Sequence, residues 1–151
     1  MPPVIGGYAH YIRSSWRATF FGEAQLTVDH WPLRLGEEVT VRFRHRLRRD
    51  IDMTVDAAVE CSEEVEIGDS ETSSTKSQRR FAIPLDTSAL RLTPHWAQAE
   101  WTFTLPPDRP PSFAVRYNAI VWRVSVTFQA PEWRANAPAI FPLLVLPETV
   151  T

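Results

Sequence analysis

The chain has 151 residues, the length of one domain, and its formal net charge of −2 excludes the strong basic field that non-specific nucleic-acid binding needs. A hydrophobic fraction of 44% and a charged fraction of 23% exclude an intrinsically disordered chain. Thirteen prolines against five glycines favour strands and stiff connectors over helices, because proline disrupts helix interiors and sheet ladders.

Cysteine usage and hydropathy bear on the compartment. Cys61 is the only cysteine, so no disulfide forms within the chain, which fits a reducing compartment. The first residues show no secretory signal, and the longest apolar run, 137–147, is broken by prolines and falls short of the roughly 20 residues that cross a membrane. We therefore expect a cytoplasmic chain without direct membrane insertion.

The first half of the chain shows the period of β-strands. Residues 1–16 have no clear period and predict a lead-in or an edge strand, and residues 17–148 predict a single β-sandwich domain. Alternation begins after Gly22 and lasts to Val28, which predicts a strand with a bulge near its start. The dipeptide Trp31-Pro32 ends it, and Gly36 predicts a turn into the next strand.

Two successive strands carry opposite charges. From Val39 to Arg49 the odd positions are mainly apolar, and the even ones form a basic row. The next strand, Ile51 to Ile67, alternates in the same way with an acidic row. The basic row consists of Arg42, Arg44, Arg46 and Arg48, and the acidic row of Asp52, Asp56, Glu60, Glu64 and Glu66.

The two rows allow two interpretations. If the strands pair through a tight connection near Arg49-Asp50, arginines stand opposite carboxylates and the row is a neutralised solvent face, which is the favoured interpretation. If the rows do not pair, the arginines form a surface that binds phosphate or acidic groups.

The second half adds further elements. The polar segment Gly68 to Gln78 predicts a long surface loop or a mobile hairpin tip. Arg79 to Leu85 predicts a short strand whose Pro84 favours an edge position, and a short helical turn is expected around Ser88 to Leu92. Strict alternation predicts strands at Ala97 to Leu105 and Ile120 to Phe128.

A family resemblance rests on the proline-rich connector between those last two strands. Phe103-Thr104-Leu105-Pro106, then Pro111-Ser112-Phe113 and the strand from Ile120 to Val126, resemble the arrestin-like families, with their F-x-L-P strand end, P-P-S-F connector and I-x-W-x-V-x-V strand. The pattern also resembles a bacterial domain that occurs with membrane spans and ends in a proline-containing apolar strand, as in Phe141 to Pro147.

The resemblance implies an all-β fold. We expect a two-sheet antiparallel, arrestin-like (immunoglobulin-like) β-sandwich of seven to nine strands. Only one sandwich's worth of strands is present, so the two-lobed body of true arrestins is absent, and no phosphate-sensing lysine pair matches this sequence. The implied role is that of a scaffold that binds proteins by its edges and loops.

Catalytic and metal-binding motifs are not evident. The four histidines are scattered, without zinc-site spacing, and neither a G-x-S-x-G elbow nor a glycine-rich phosphate loop occurs, so no catalytic residue, metal or cofactor is expected. Glu60, Glu63 and Glu64 more simply form a polar strand end than a glycosidase pair. His45 and Cys61 occupy inward positions, where a satisfied histidine and a small buried hydrophobe are expected.

Tryptophans divide into two groups. Trp101 and Trp122 lie on strands and are expected in the core. Four others lie at strand ends or loops, where an exposed ring is typical of a contact surface: Trp16, Trp31, Trp96 and Trp133.

These patterns predict a non-enzymatic protein-interaction module. Its partner is another protein, bound through loops or edge strands, or a second copy paired by an edge strand. The alternatives are a carbohydrate-binding module that uses the loop tryptophans and, least favoured, a small hydrolase. The candidate interaction surface comprises Arg42, Arg44, Arg46, Arg48, Trp31, Trp96 and Trp133.

Overall fold

The computed structural model describes residues 10–13, 24–46, 54–68, 73–93, 96–129 and 137–148. Within these ranges the chain forms twelve strands and one short 3-10 turn, Thr87–Ala89. Three of the strands have only two residues each. The strands build two large sheets and one small parallel pair, which is the two-sheet architecture that the sequence predicts.

The first sheet has five strands in the order β1-β2-β4-β8-β7, and all its pairs are antiparallel. The bounds are β1 His10–Arg13, β2 Ala24–Val28, β4 Glu38–Arg46, β7 Arg91–Leu92 and β8 Trp96–Thr104. Strand β4 lies at the centre, and its burial alternates residue by residue, as the sequence predicts.

The second sheet has the order β11-β10-β5-β6, with β9 also paired to β10. Its pairs are antiparallel as well. The bounds are β5 Thr54–Gly68, β6 Ser73–Pro84, β9 Phe113–Val115, β10 Asn118–Gln129 and β11 Ala137–Leu143. Strand β6 is at the edge of this sheet, which is the position that Pro84 favours.

A small parallel pair joins the segment between β2 and β4 to the last described strand. Strand β3, Leu33–Arg34, pairs with β12, Val145–Leu146. Between β3 and β4 the chain turns at Gly36, whose φ of 87° favours glycine. A Cβ atom at that position would lie 2.8 Å from a carboxylate oxygen of Glu148, but this flexible side chain can move aside, so the turn requires glycine for its backbone conformation.

The core lies between the two sheets. From the first sheet, Val39, Val41 and Phe43 of β4 are fully buried. Phe43 packs edge-on against Phe141 of the second sheet, with 6.1 Å between ring centroids, so the two layers are in direct contact. Trp101, Trp122 and Cys61 are also buried, which confirms the expected positions of these side chains.

The proline-rich connector is fixed by side-chain hydrogen bonds. The indole N–H of the buried Trp122 donates to the carbonyl of Pro110 over 2.8 Å. Ser112 Oγ accepts a hydrogen bond of 2.9 Å from the amide of Val145, and the amide of Ser112 donates to the carbonyl of Val145. These bonds tie the connector to both β10 and β12.

The favoured interpretation of the two charged rows is wrong. The basic strand β4 pairs with β2 and β8, whereas the acidic strand β5 pairs with β10 and β6 in the other sheet, so the two charged rows do not face each other. The segment Gly68 to Gln78, predicted as a long surface loop or a mobile hairpin tip, lies at the end of the β5–β6 hairpin, and its strand β6 already begins at Ser73, earlier than the sequence predicts.

His45 is a buried, hydrogen-bonded histidine, as expected. Its side chain is almost fully buried, and Nδ1 donates to the carbonyl of Arg46 over 2.8 Å. Burial lowers the pKa of His45 below its ordinary value of 6.5, because the charged imidazolium loses its hydration, while the hydrogen bond to the backbone opposes this shift in part.

We predict that Ser112→Ala lowers the free energy of unfolding by about 1–2 kcal/mol, because the half-buried amide of Val145 loses its acceptor. Chemical denaturation measures the change. Ser77→Ala, at an exposed position of β6, is the matched control and should stay within about 0.5 kcal/mol of the parent. Equal stability of the two variants would contradict the role given to Ser112.

We also predict that His45 makes the fold less stable in mild acid. Below pH 6.5 an unfolded histidine takes up a proton that the folded state refuses, so stability falls as the pH drops until the folded pKa is passed. The variant His45→Gln should lack this part of the decline between about pH 7 and about pH 5. Denaturation curves across that interval test the prediction, and identical slopes for parent and variant would refute it.

Candidate interaction surface

The outer side of the first sheet carries the basic row of β4. Because the odd residues of β4 face the core, Arg42, Arg44 and Arg46 point to the opposite side of the sheet. We call this surface the arginine face and define it by the outward residues of β4, β7 and β8 at this end of the sheet: Arg42, Arg44, Arg46, Arg91, Trp96, Gln98 and Glu100.

Arg42 is paired with a carboxylate on this face. It lies opposite Glu100 of β8, and its Nη2 is 3.4 Å from Glu100 Oε2. Both side chains are about half exposed, at 52% and 54%. An exposed pair of this kind contributes little to stability, but it neutralises part of the charge of Arg42.

Arg44 is held in place by an aromatic ring. Its guanidinium carbon lies 4.2 Å from the centroid of the Trp96 ring, within the range of a cation–π contact. Its strand neighbours are both neutral, Gln25 on β2 and Gln98 on β8. The Nε atom of Arg44 is buried without a hydrogen-bond partner. The guanidinium is thus oriented by stacking rather than by a carboxylate.

A fourth cation joins the face from the short strand β7. Arg91 lies directly opposite Gln98, so the row Gln25, Arg44, Gln98 and Arg91 runs across four neighbouring strands. Residues directly opposite each other in an antiparallel ladder share one side of the sheet. The cationic groups of Arg44 and Arg91 are therefore separated by a neutral amide, and neither has a carboxylate as its β8 neighbour.

The acidic row lies on the other outer surface of the sandwich. Asp56, Glu60 and Glu64 occupy even positions of β5, whose odd residues Val59 and Cys61 face the core. This surface contains its own cation, since Arg123 of β10 lies opposite Glu60 and approaches Glu64 within 3.8 Å. The acidic row is therefore partly neutralised by a cation of its own sheet. The acidic row does not neutralise the basic row, because the two rows lie on opposite outer surfaces of the sandwich.

The structure brings together only some of the predicted surface residues. Arg42, Arg44, Arg46 and Trp96 lie on the arginine face. Trp31 is half-buried and packs against the core, so its ring is not the exposed contact ring that the sequence predicts. Arg48, Trp133 and also Trp16 lie outside the described residues. Arg91 and Gln98 were not among the predicted surface residues, although the alternation of β8 already placed Gln98 on the outward side.

Among the described residues, no group of three or more His, Cys, Asp or Glu side chains is arranged to hold a metal ion. In the same part of the chain, the structure contains no helix with the length and apolarity that crossing a membrane requires.

Comparison with known proteins identifies the fold. No family model matches the chain, and no curated protein matches it. Among solved structures, the chain is similar to Spo0M, the sporulation control protein of Bacillus subtilis, with a TM-score of 0.53 and 13% sequence identity. The match covers 83% of this chain and 49% of Spo0M, so the chain spans about half the length of that protein. The predicted arrestin-like sandwich fold is confirmed.

Proposed function

We propose that the chain is a non-enzymatic protein-interaction module that contacts an acidic surface of another protein through its arginine face. The observation that supports this most directly is the separation of the charged rows. Because β4 and β5 belong to different sheets, the acidic strand leaves the arginines available for a partner. The arrestin-like fold and the regulatory protein that shares it fit a scaffold role.

The chemistry of the face suits carboxylates. A guanidinium is planar, permanently charged and able to donate two parallel hydrogen bonds to one carboxylate. Stacking on Trp96 orients the guanidinium of Arg44 before a partner arrives, which reduces the entropy lost on binding. The second cation, Arg91, lies two strands away from Arg44 in the same row and offers a separate point of contact.

Carbohydrate binding through the tryptophans is less well supported than protein binding through the arginine face. A sugar-binding platform needs an accessible aromatic ring. The ring of Trp96 carries the guanidinium of Arg44, and Trp31 packs against the core. We further propose that the module works in the cytoplasm as a single sandwich over residues 17–148. Support for that compartment comes from Cys61, a free cysteine that is buried in the core.

We predict that removing the two row cations, in the double variant Arg44→Gln/Arg91→Gln, weakens partner binding by about tenfold or more, since each lost contact is charge-assisted. The partner is first recovered by affinity capture with the intact chain and identified by mass spectrometry. Its binding is then measured by calorimetry at low and high salt, where the native affinity should fall as salt rises.

The control removes two charges elsewhere, in Arg34→Gln/Arg116→Gln, and should bind like the parent. Thermal melts establish that both double variants are folded. Equal affinity of the two double variants would contradict the proposal, as would repeated failure to recover any protein. Binding to a glycan array that depends on Trp96 would instead support the carbohydrate alternative.

A further inference from the structure

The hairpin of β5 and β6 extends beyond the packed sandwich. At the end of β5, the adjacent residues Glu66 and Ile67 point to opposite sides of the sheet and are both exposed. On β6, every side chain from Ser74 to Arg80 is exposed. Neither side of this part of the sheet is therefore covered by a second layer, and the strands are held mainly by their own ladder.

Strand β6 also forms an edge of its sheet. Of its twelve residues, all but Arg80 pair with β5 on one side, and among the described strands none pairs with its other side. An edge of this kind presents main-chain N–H and C=O groups that an extended chain can bind. The segment Ser74 to Arg79 is the part of this edge that precedes the bulge. At the bulge the register of β6 shifts opposite Cys61 and Ser62.

The charge of β6 has one sign. The strand contains Lys76, Arg79 and Arg80 and has no acidic residue. Arg80 already donates two hydrogen bonds to Glu63, of 3.1 and 2.8 Å. Lys76 lies opposite Val65 and Arg79 opposite Ser62, so these two cations project from opposite sides of the sheet.

This charge pattern discriminates between occupants of the edge. If two copies of the chain paired through β6 around a two-fold axis, like cations would meet across the new ladder in the registers centred on them, Lys76 opposite Lys76 or Arg79 opposite Arg79. Like charges directly opposite each other destabilise a strand pair. A partner strand with carboxylates opposite Lys76 and Arg79 would instead form attractive cross-strand pairs of opposite charge.

We propose that the edge of β6 from Ser74 to Arg79 binds an extended, carboxylate-bearing segment of a partner protein as an added strand. Main-chain hydrogen bonds supply the affinity, and Lys76 and Arg79 select the sequence. Because these two cations are three residues apart and on opposite sides, the segment carries acidic residues at positions i and i+3. The inference builds on the proposed interaction function but uses a different surface from the arginine face.

The test uses the acetylated, amidated peptide Thr-Val-Glu-Val-Thr-Glu-Val-Thr as the probe and fluorescence anisotropy as the readout. In a strand, alternate amides point to opposite edges, so N-methylation of one alternate set blocks pairing and N-methylation of the other set does not. We expect one methylated peptide to lose binding by about tenfold or more and the other to bind like the parent. Replacing both glutamates by glutamine should also weaken binding.

Protein variants assign the surface. The double variant Lys76→Glu/Arg79→Glu should bind the peptide about tenfold more weakly or worse, whereas Arg44→Gln/Arg91→Gln should leave peptide binding unchanged. Equal binding of both methylated peptides, or no effect of the β6 variant, would overturn the inference. Loss of peptide binding with the arginine-face variant instead would overturn it while supporting the proposed function, so the two failures are distinguishable. A stable dimer that Lys76→Glu/Arg79→Glu abolishes in sedimentation would also overturn it.

Discussion

The constraint on which the structure depends is that every long strand must turn its apolar side toward one shared core. Strands β4 and β5 both alternate, and they lie in different sheets whose inner sides meet, as Phe43 and Phe141 do at 6.1 Å. Their charged sides must then lie on opposite outer surfaces of the sandwich. The basic row is therefore separated from the acidic row by the thickness of the core, so the acidic strand does not neutralise the arginine face.

The connector between the two sheets is fixed by side-chain contacts. The connector from β8 to β9 crosses from the first sheet to the second and is held by the indole of Trp122 and the hydroxyl of Ser112. Arg109, within the connector, lies over the ring of Phe81, with its guanidinium carbon 4.3 Å from the ring centroid. The connector thus closes the core at the level of Trp122 and Phe81, and the β5–β6 hairpin continues beyond that point with exposed side chains and an edge to which no described strand pairs.

Period-two alternation was sufficient to predict β4, β8 and β10, because each of these strands has one side in the core and one in solvent. It was not sufficient to predict which strands are neighbours, since an alternating strand is compatible with any partner that shares the core. The segment Ser73 to Gln78 was predicted as part of a loop or a hairpin tip and not as a strand, because it has no apolar side, which is the composition of a strand exposed on both sides. Arg91 was missed because two residues of β7 show no period.

Cross-linking that reports which strand lies beside β4 is the most direct test of the assignment of β4 and β5 to different sheets. In a chain with Cys61→Ala, the pair Thr40→Cys/Thr102→Cys should form an intramolecular disulfide under mild oxidation, because the two Oγ1 atoms are 3.0 Å apart across β4 and β8. The pair Thr40→Cys/Glu60→Cys, which would be close if β4 and β5 formed a hairpin, should not. Efficient cross-linking of the second pair and not the first would contradict the separation of the charged rows.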